Sequence, residues 1–330
     1  MYVGVVVNPF ARKNRGNPGD RTAKLRRVLG RWGEVHETRS LDELRAVVSS
    51  LDTRVTHLVS DGGDGSLNWL INEMHSHISD PALWPTFVPT SGGTIDFVAR
   101  KARIGGRAEA IVGALAASAE TGGSPREVTL DSLELCGETV DGTTFHRVGF
   151  ALAAGGVGNR FFDAYYRDRD PGRATIVRVI VRAVGDYVLA KAVGKGSGGR
   201  RYAEELFNPT RARVAIDGVE VPTRHHTALH AGAFDVNLGG VVRLFPKARE
   251  PGALHFQAGE LPPAKMIAQL PALIAGRGIR GDRLCDVEGR EMIIVAQDEP
   301  LSPIIDGERF AAIVHLVVRA GPGVRIARIG

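Results

Sequence analysis

The chain has 330 residues, 43% hydrophobic and 24% charged, proportions of a water-soluble globular protein long enough for two domains with separate cores. A formal net charge of +5 and an isoelectric point near 9.4 point to anionic partners such as nucleotides, nucleic acid or an acidic membrane surface. Aromatic content of only 6% argues against single-stranded nucleic acid, and two cysteines, Cys136 and Cys285, argue against a disulfide framework or a cysteine zinc site.

Met1 runs straight into Tyr2-Val3-Gly4-Val5-Val6-Val7, which lacks the charged start of a secretory signal, and no apolar run reaches membrane-span length. The cytoplasm is the expected address. The β-branched run Val3–Val7 predicts a strand buried on both faces, ending in the polar basic turn Asn8-Pro9-Phe10-Ala11-Arg12-Lys13-Asn14. Helical spacing follows over Arg21–Trp32 and Leu41–Ser50, and Val55–Ser60 reads as the next strand.

The stretch Ser60-Asp61-Gly62-Gly63-Asp64-Gly65-Ser66-Leu67-Asn68 comes next. Leu67, Leu70, Ile71 and Met74 behind it give one apolar helix face. A strand, a glycine-dense turn and a helix N-terminus together form an anion site, because glycine lets backbone N–H groups turn inward ahead of the positive helix end. A plain tight turn is the alternative. Thr86–Pro89 reads as a further strand, followed by Thr90-Ser91-Gly92-Gly93-Thr94 and a helix over Ile95–Lys101. Strands alternating with helices predict a parallel α/β sheet, whose ligands sit at the carboxyl ends of its strands.

Composition shifts near Gly122-Gly123-Ser124-Pro125, a plausible boundary. Beyond it, strands are expected over Val128–Leu135, Arg147–Ala153, Arg211–Val221 with a turn at Asp217-Gly218, His225–Ala231, Val241–Phe245, Leu254–Ala258, Glu291–Ala296 and Ala311–Val318. A β-sandwich accommodates so many short strands. The insert Phe161–Phe207 differs. Ile176, Val177, Val179, Ile180, Ala183, Val184, Tyr187 and Val188 read as one apolar helix face, with many arginines and lysines around it. Such a helix either lies on an anionic bilayer or packs into a core with a solvated basic side. Lys195–Gly199 reads as a flexible loop.

Other groups are weaker candidates. Gly155-Gly156-Val157-Gly158 lacks the full spacing of a dinucleotide fingerprint. His226 and His230 would share one face of a strand but, with His225, no carboxylate pattern completes a metal site. Cys136, with no histidine nearby in sequence, reads as core.

Phosphoryl transfer needs phosphate-binding donors, a divalent metal and a group to accept the acceptor's proton. Late in the chain, Pro303-Ile304-Ile305-Asp306-Gly307-Glu308 sets two carboxylates on a turn. Asp306 could take a proton from a hydroxyl, with Glu308 helping to orient it or hold the metal; an ordinary Asp-Gly hairpin is the alternative.

These motifs, in this order, resemble the diacylglycerol kinase catalytic-domain family, which includes bacterial diacylglycerol kinases, sphingosine kinases and ceramide kinases. Asn8-Pro9 follows the first strand. Gly62-Gly63-Asp64-Gly65-Ser66-Leu67-Asn68 stands where the family has GGDGT-x-N, Pro89 to Arg100 is similar to its P-x-GT-x-ND-F-A-R segment, and Ile305-Asp306-Gly307-Glu308 to its late DGE. Gly155–Ala164, Gly239-Gly240, Pro246-Lys247-Ala248 and Gly252-Ala253-Leu254 are similar to segments of its second domain.

The resemblance implies an N-terminal α/β nucleotide-binding domain with a parallel sheet over 1–125, and a C-terminal β-sandwich lipid-substrate domain over 126–311. It also implies that about 312–330 return to the first domain and that the active site lies in the interdomain cleft. ATP would be bound by Asn8, Thr38, Gly62, Gly63, Asp64, Gly65, Ser66, Asn68 and Thr94. Asp306 would be the general base and Glu308 its neighbour. ATP and Mg²⁺ would be the cofactors, with the side chains that hold the metal unassigned. The partners would be a membrane lipid, ceramide or diacylglycerol, and an anionic membrane surface on the inner face of the membrane, with no nucleic acid.

Three departures stand out. Trp69 replaces a glutamate that contacts nucleotide in many bacterial members. Pro251 replaces an aspartate of an accessory magnesium site, leaving Glu250 alone. Asp96 replaces an asparagine, as in the G-S-T-D of ceramide kinases, and could accept a hydrogen bond from a sphingolipid or cap its own helix. A kinase of a soluble acceptor in the manner of NAD kinases, and a non-catalytic lipid-binding relative, are the competing readings.

Overall fold

The computed structural model describes residues 1–15, 18–193 and 200–329. The loop expected over Lys195–Gly199 lies outside the described residues. The chain divides into two compact units, Met1–Leu130 with Pro322–Gly330, and Asp131–Gly321.

The first unit begins with β1 (Val3–Val7), α1 (Pro18–Leu29), β2 (Gly33–Glu37), α2 (Leu41–Ser50), β3 (His57–Asp61) and α3 (Asp64–His77). It continues with β4 (Thr86–Pro89), α4 (Phe97–Lys101), α5 (Ala108–Glu120) and β5 (Arg126–Leu130). The sheet has the order β2-β1-β3-β4, then the closing strand Val324–Arg328, then β5. The first four strands and the closing strand run parallel, and β5 pairs antiparallel to the closing strand. Burial on both faces explains the unbroken apolar runs: Val3, Val5, Val7, Leu58, Val59, Phe87 and Val88 are fully buried. α2 starts where its sequence says it must, with the Ser40 hydroxyl accepting from Glu43 N–H at 3.1 Å.

The second unit opens with β6 (Leu133–Thr139), β7 (Thr144–Gly149), β8 (Ala151–Gly155), α6 (Gly156–Tyr166), α7 (Arg173–Val193) and α8 (Arg200–Phe207). Then come β9 (Thr210–Ile216), β10 (Val219–Glu220), β11 (His225–His226), β12 (Ala228–Gly232), β13 (Val236–Leu238), β14 (Val242–Leu244) and β15 (Leu254–Glu260). The unit ends with α9 (Pro263–Ala268), α10 (Leu270–Ile274), β16 (Arg283–Gly289), β17 (Glu291–Ala296), β18 (Ile304–Ile305), β19 (Glu308–Arg309) and β20 (Ile313–Ala320). One antiparallel sheet runs β10-β9-β17-β20-β6-β7 with β11 on β9, and the other runs β16-β15-β12-β8-β18-β19. A mostly parallel α/β layer followed by an antiparallel, β-rich unit is therefore the architecture.

Several local expectations differ from the structure. The apolar run Val128–Leu135 is two strands, because β5 pairs with the closing strand whereas β6 pairs with β7 and β20. The first unit consequently extends to Leu130, and Ile313–Ala320 belongs to the second unit, with the return starting at Pro322. Arg147–Ala153 likewise contains the end of β7 and most of β8. His226 and His230 do not share a face of one strand: β11 pairs with β9 and β12 with β8, so the chain changes sheets between them. Cys136 is half-buried rather than core, and it has a histidine directly across the ladder, His146. β16, broken by Arg283, Asp286 and Glu288, has no apolar alternation to announce it.

Phe87 fills the centre of the first sheet and pairs in register with Ile326 of the closing strand. Phe87→Ala is expected to lower unfolding free energy by about 3–5 kcal/mol, read from chemical denaturation, since transfer and cavity terms add.

Candidate active site

Register builds the first half of the site. Parallel pairing sets Glu37, Val7 and Asp61 in one row, and Ser60 opposite Pro89. The next residues, Thr38, Asn8, Gly62 and Thr90, therefore leave the sheet side by side at its carboxyl edge, spaced by about 4.8 Å per strand. Thr38 and Thr90 extend the ladder by one rung, donating their N–H groups to Val7 O and Ser60 O at 3.0 Å each.

Two glycine turns meet at this edge with nothing between them. Gly92 N–H donates to Gly62 O at 2.9 Å. A Cβ on Gly63 would stand 2.9 Å from Gly93 Cα, and one on Gly92 would stand 2.7 Å from Gly62 O. Only hydrogen fits at these positions. Asp64, the first residue of α3, bridges the same junction: its Oδ2 accepts from Phe97 N–H and its Oδ1 from Val98 N–H, both at 3.1 Å. These are the first N–H groups of α4, so Asp64 caps that helix from another element. α3 itself starts on Gly63 without a side-chain cap, which leaves a helix N-terminus of the kind that receives phosphate.

Asp96 does not cap its own helix. It sits in the left-handed region, φ 51°, and its buried carboxylate turns back to accept from Gly93 N–H at 2.8 Å. Lys13 Nζ lies 3.5 Å from its other oxygen and also donates to Ser91 O. Burial pushes the Asp96 carboxyl above the ordinary aspartate value, more than Lys13 and the Gly93 N–H bring it down.

Asn8 Nδ2 donates to Ser66 Oγ at 2.8 Å, which joins the first loop to the first turn of α3. Thr94 stands half-exposed after the second glycine turn. Asn68 lies a turn deeper, buried, with its Oδ1 accepting from Asn72 Nδ2 at 3.3 Å. Trp69 is half-buried, and Glu250 and Pro251 sit in an exposed turn of the second unit.

Sequence reasoning missed the group beneath these loops. Asp61 is fully buried, and Arg21 grips its carboxylate through Nε at 2.5 Å and Nη2 at 2.7 Å. Thr90 Oγ1 donates to the same carboxylate at 2.9 Å, and Asn14 Nδ2 to the Asp61 carbonyl at 3.0 Å. The hydrogen bond to Asp61 raises the Arg21 pKa still further above its ordinary value. The only sequence signal was an aspartate directly before the glycines; its partner comes from α1. Lys13 was visible only as one residue of a basic turn.

In the second unit, Asp306 and Gly307 both have positive φ, 50° and 92°, and form the two-residue loop between β18 and β19. That is the type I′ hairpin an Asp-Gly pair specifies. The Asp306 side chain goes further than a plain turn requires. Its Oδ1 accepts from Ala151 N–H at 2.8 Å and from Phe150 N–H at 3.0 Å, while Oδ2 also accepts from Phe150 N–H at 3.0 Å. α6 supports this hairpin. Tyr166 Oη donates to Gly307 O at 3.0 Å, and Arg309 reaches Asn159 Oδ1 at 2.8 Å and the Asp163 carboxylate. Glu308 is half-buried at the start of β19. Gly155-Gly156-Val157-Gly158 is the junction of β8 and α6, where Gly156 N–H donates to Thr210 Oγ1 at 2.9 Å.

Residues 2–125 match the sequence model of the diacylglycerol kinase catalytic domain. No curated protein matches the chain. Among solved structures, a diacylglycerol kinase from Bacillus anthracis str. Sterne is 13% identical with a TM-score of 0.59, covering 99% of this chain and 97% of that one. A candidate diacylglycerol kinase from the same organism is 14% identical with a TM-score of 0.63 and the same coverage. At such identity the likeness is one of fold.

The raised Asp96 carboxyl has a readable consequence. A folded-state pKa above the unfolded value means that its contribution is present at low pH and lost as pH rises through the raised value. Asp96→Asn keeps an oxygen for Gly93 N–H and removes the titration. Denaturation across pH 4–8 is expected to show the variant gaining on the wild type as pH rises above the ordinary aspartate range, with the two curves converging below it.

Proposed function

We propose that the chain is a lipid kinase moving the γ-phosphate of ATP to a hydroxyl of a membrane lipid, a reading supported by the match of residues 2–125 to the diacylglycerol kinase catalytic-domain model. The observation that carries this reading is the pair of abutting glycine turns on an uncapped helix N-terminus, at the carboxyl edge of a parallel sheet. ATP would lie against Asn8, Thr38, Gly62–Ser66 and Thr94, its phosphates facing the N-terminus of α3. Lys13, with its ammonium beside Asp96, adds a cation at that edge. Asn68, on the second turn of α3, would belong to the same set.

Asp61, Asp64 and Asp96 each already accept hydrogen bonds from N–H groups or cations. Among the described residues, these turns hold no cluster of three or more ligating side chains. This fits magnesium, which keeps several waters and binds largely through nucleotide phosphates rather than an all-protein cage. When bound, it would offset charge on those phosphates. Asp306 is the proposed base. Backbone N–H groups fix its carboxylate, and it would take the proton of the attacking hydroxyl, with Glu308 beside it.

For the acceptor, ceramide or a related sphingolipid is favoured by Asp96, whose carboxylate could take an amide N–H or second hydroxyl. Diacylglycerol is the second reading, favoured by the names of the Bacillus anthracis structures. A soluble acceptor and a non-catalytic lipid-binding role are the remaining alternatives. Acting on a membrane lipid from the cytoplasm would make the chain peripheral to the inner face of the membrane; no described helix is long and apolar enough to cross it.

Asp306→Asn is expected to lower kcat by about 10²–10⁴-fold with ATP affinity retained, measured by single-turnover assay and nucleotide titration. Near wild-type turnover would remove Asp306 from the chemistry. Radiolabelled ATP offered with diacylglycerol, ceramide and sphingosine separates the acceptors: phosphorylation of diacylglycerol alone would end the sphingolipid reading. Turnover of a soluble acceptor without vesicles or detergent would favour the NAD-kinase-like reading.

A further inference from the structure

β6 and β7 carry a group of side chains that the phosphoryl-transfer reading does not use. Glu134 and Cys136 are two residues apart on β6, so they stand on one face of the sheet. His146 on β7 is directly opposite Cys136 in the antiparallel register, and cross-strand partners share a face. All three are half-buried. Their ligand atoms, a sulfur, a ring nitrogen and a carboxylate oxygen, lie within 4.8 Å of one another. Among the described residues, this is the one group of three or more histidine, cysteine, aspartate or glutamate side chains that converges so closely.

Two contacts orient the group. His146 Nε2 and Glu134 Oε1 are 3.1 Å apart, near the roughly 3.4 Å that separates two such ligands bound to one tetrahedral ion. Arg319, opposite Glu134 on β20, stands 3.7 Å from the other oxygen, Oε2, which leaves Oε1 turned toward the ring. An arginine behind a ligating carboxylate fixes its direction. Burial and then the charge of Glu134 push the Cys136 thiol up, with Arg319 pulling it partly back, so without a metal the sulfur keeps its proton.

We propose that Glu134, Cys136 and His146 form a zinc site, with Oε1, Sγ and Nε2 as three ligands and a fourth position for water or an outside ligand. The donor set decides the metal. A thiolate and an imidazole suit a borderline ion such as zinc, whereas magnesium and calcium take oxygen donors. Thiolate and carboxylate together cancel the charge of Zn²⁺. On binding, the Cys136 proton leaves to solvent and the imidazole carries its proton on Nδ1, which frees Nε2 for the metal. Two cysteines in the chain exclude a site of four cysteines, but this one needs a single thiolate. The ion clamps β6 to β7, the strand that leads to Phe150, whose N–H holds the Asp306 carboxylate. The site is separate in its chemistry from the magnesium of phosphoryl transfer, and the inference goes beyond the kinase reading.

The untagged full chain, stripped with a chelator and kept reduced, is titrated with zinc and separately with cobalt(II), without ATP or lipid. One zinc per chain is expected, with a rise in melting temperature and, for cobalt, a near-ultraviolet thiolate-to-metal absorption band. Cys136→Ser should abolish the band. Cys136→Ser and His146→Gln should each weaken zinc binding at least about tenfold, with metal-free melting curves close to wild type; the half-exposed His146 keeps the test open should the cysteine variant not fold. Cys285→Ser should change nothing, and excess magnesium should not displace the zinc. A wild-type chain with no band and no stoichiometric zinc binding would overturn the site and leave a histidine–glutamate hydrogen bond beside a thiol. Unchanged binding in both Cys136→Ser and His146→Gln, or a band that follows Cys285 instead, would overturn it as well. No readout involves phosphoryl transfer, so failure of the kinase reading would leave these results standing.

Discussion

The first unit depends on two backbones touching where no side chain can intervene. Gly62-Gly63 and Gly92-Gly93 leave neighbouring strands and pack Cα to Cα, and one carboxylate, Asp64, fastens the result by accepting two N–H groups of α4. Those N–H groups would otherwise be orphans at a helix start. The arrangement fixes a helix N-terminus, a glycine loop and the short helix α4 as one body before any ligand arrives. Preorganisation of this kind lets donors face developing charge without reorganising. Beneath it, the Arg21–Asp61 pair is buried and shared with Thr90, so removing either partner would strand a charge.

The second unit repeats the device with different parts. Asp306 sits in an Asp-Gly turn that its sequence alone would specify, yet its carboxylate reaches to the start of β8 and is held there by Phe150 and Ala151. Both carboxylates singled out by the motifs are thus clamped by backbone N–H groups. Asp64 works as a brace for the glycine turns. Asp306 does the same for the start of β8, and Tyr166 and Arg309 tie its hairpin to α6.

What could be read from the sequence was what local chemistry dictates. α2 and β17 were legible to the residue, because helical spacing over Leu41–Ser50 and a short strand-like run over Glu291–Ala296 are local signals. The glycine turn and the Asp-Gly hairpin were legible for the same reason. What escaped depends on partners far away in the chain. Nothing in Val128–Leu135 says that its halves pair in different sheets, and nothing near Asp61 points to Arg21. The alternatives weighed for Asp96 treated the start of α4 as its own affair, whereas Asp64 supplies that cap. In α7, apolar spacing alone cannot separate a row that faces the core from one that faces outward.

The closing strand bears on how the protein comes to be made. Val324–Arg328 lies between β4 and β5, which do not pair with each other. Until Val324–Arg328 is made, β5 has no neighbour in its sheet, and the first unit stays open along that edge. The second unit, contiguous from Asp131 to Gly321, has no such wait and can fold as it emerges. An α/β layer that lacks Val324–Arg328 is therefore left with an exposed, unpaired seam between β4 and β5.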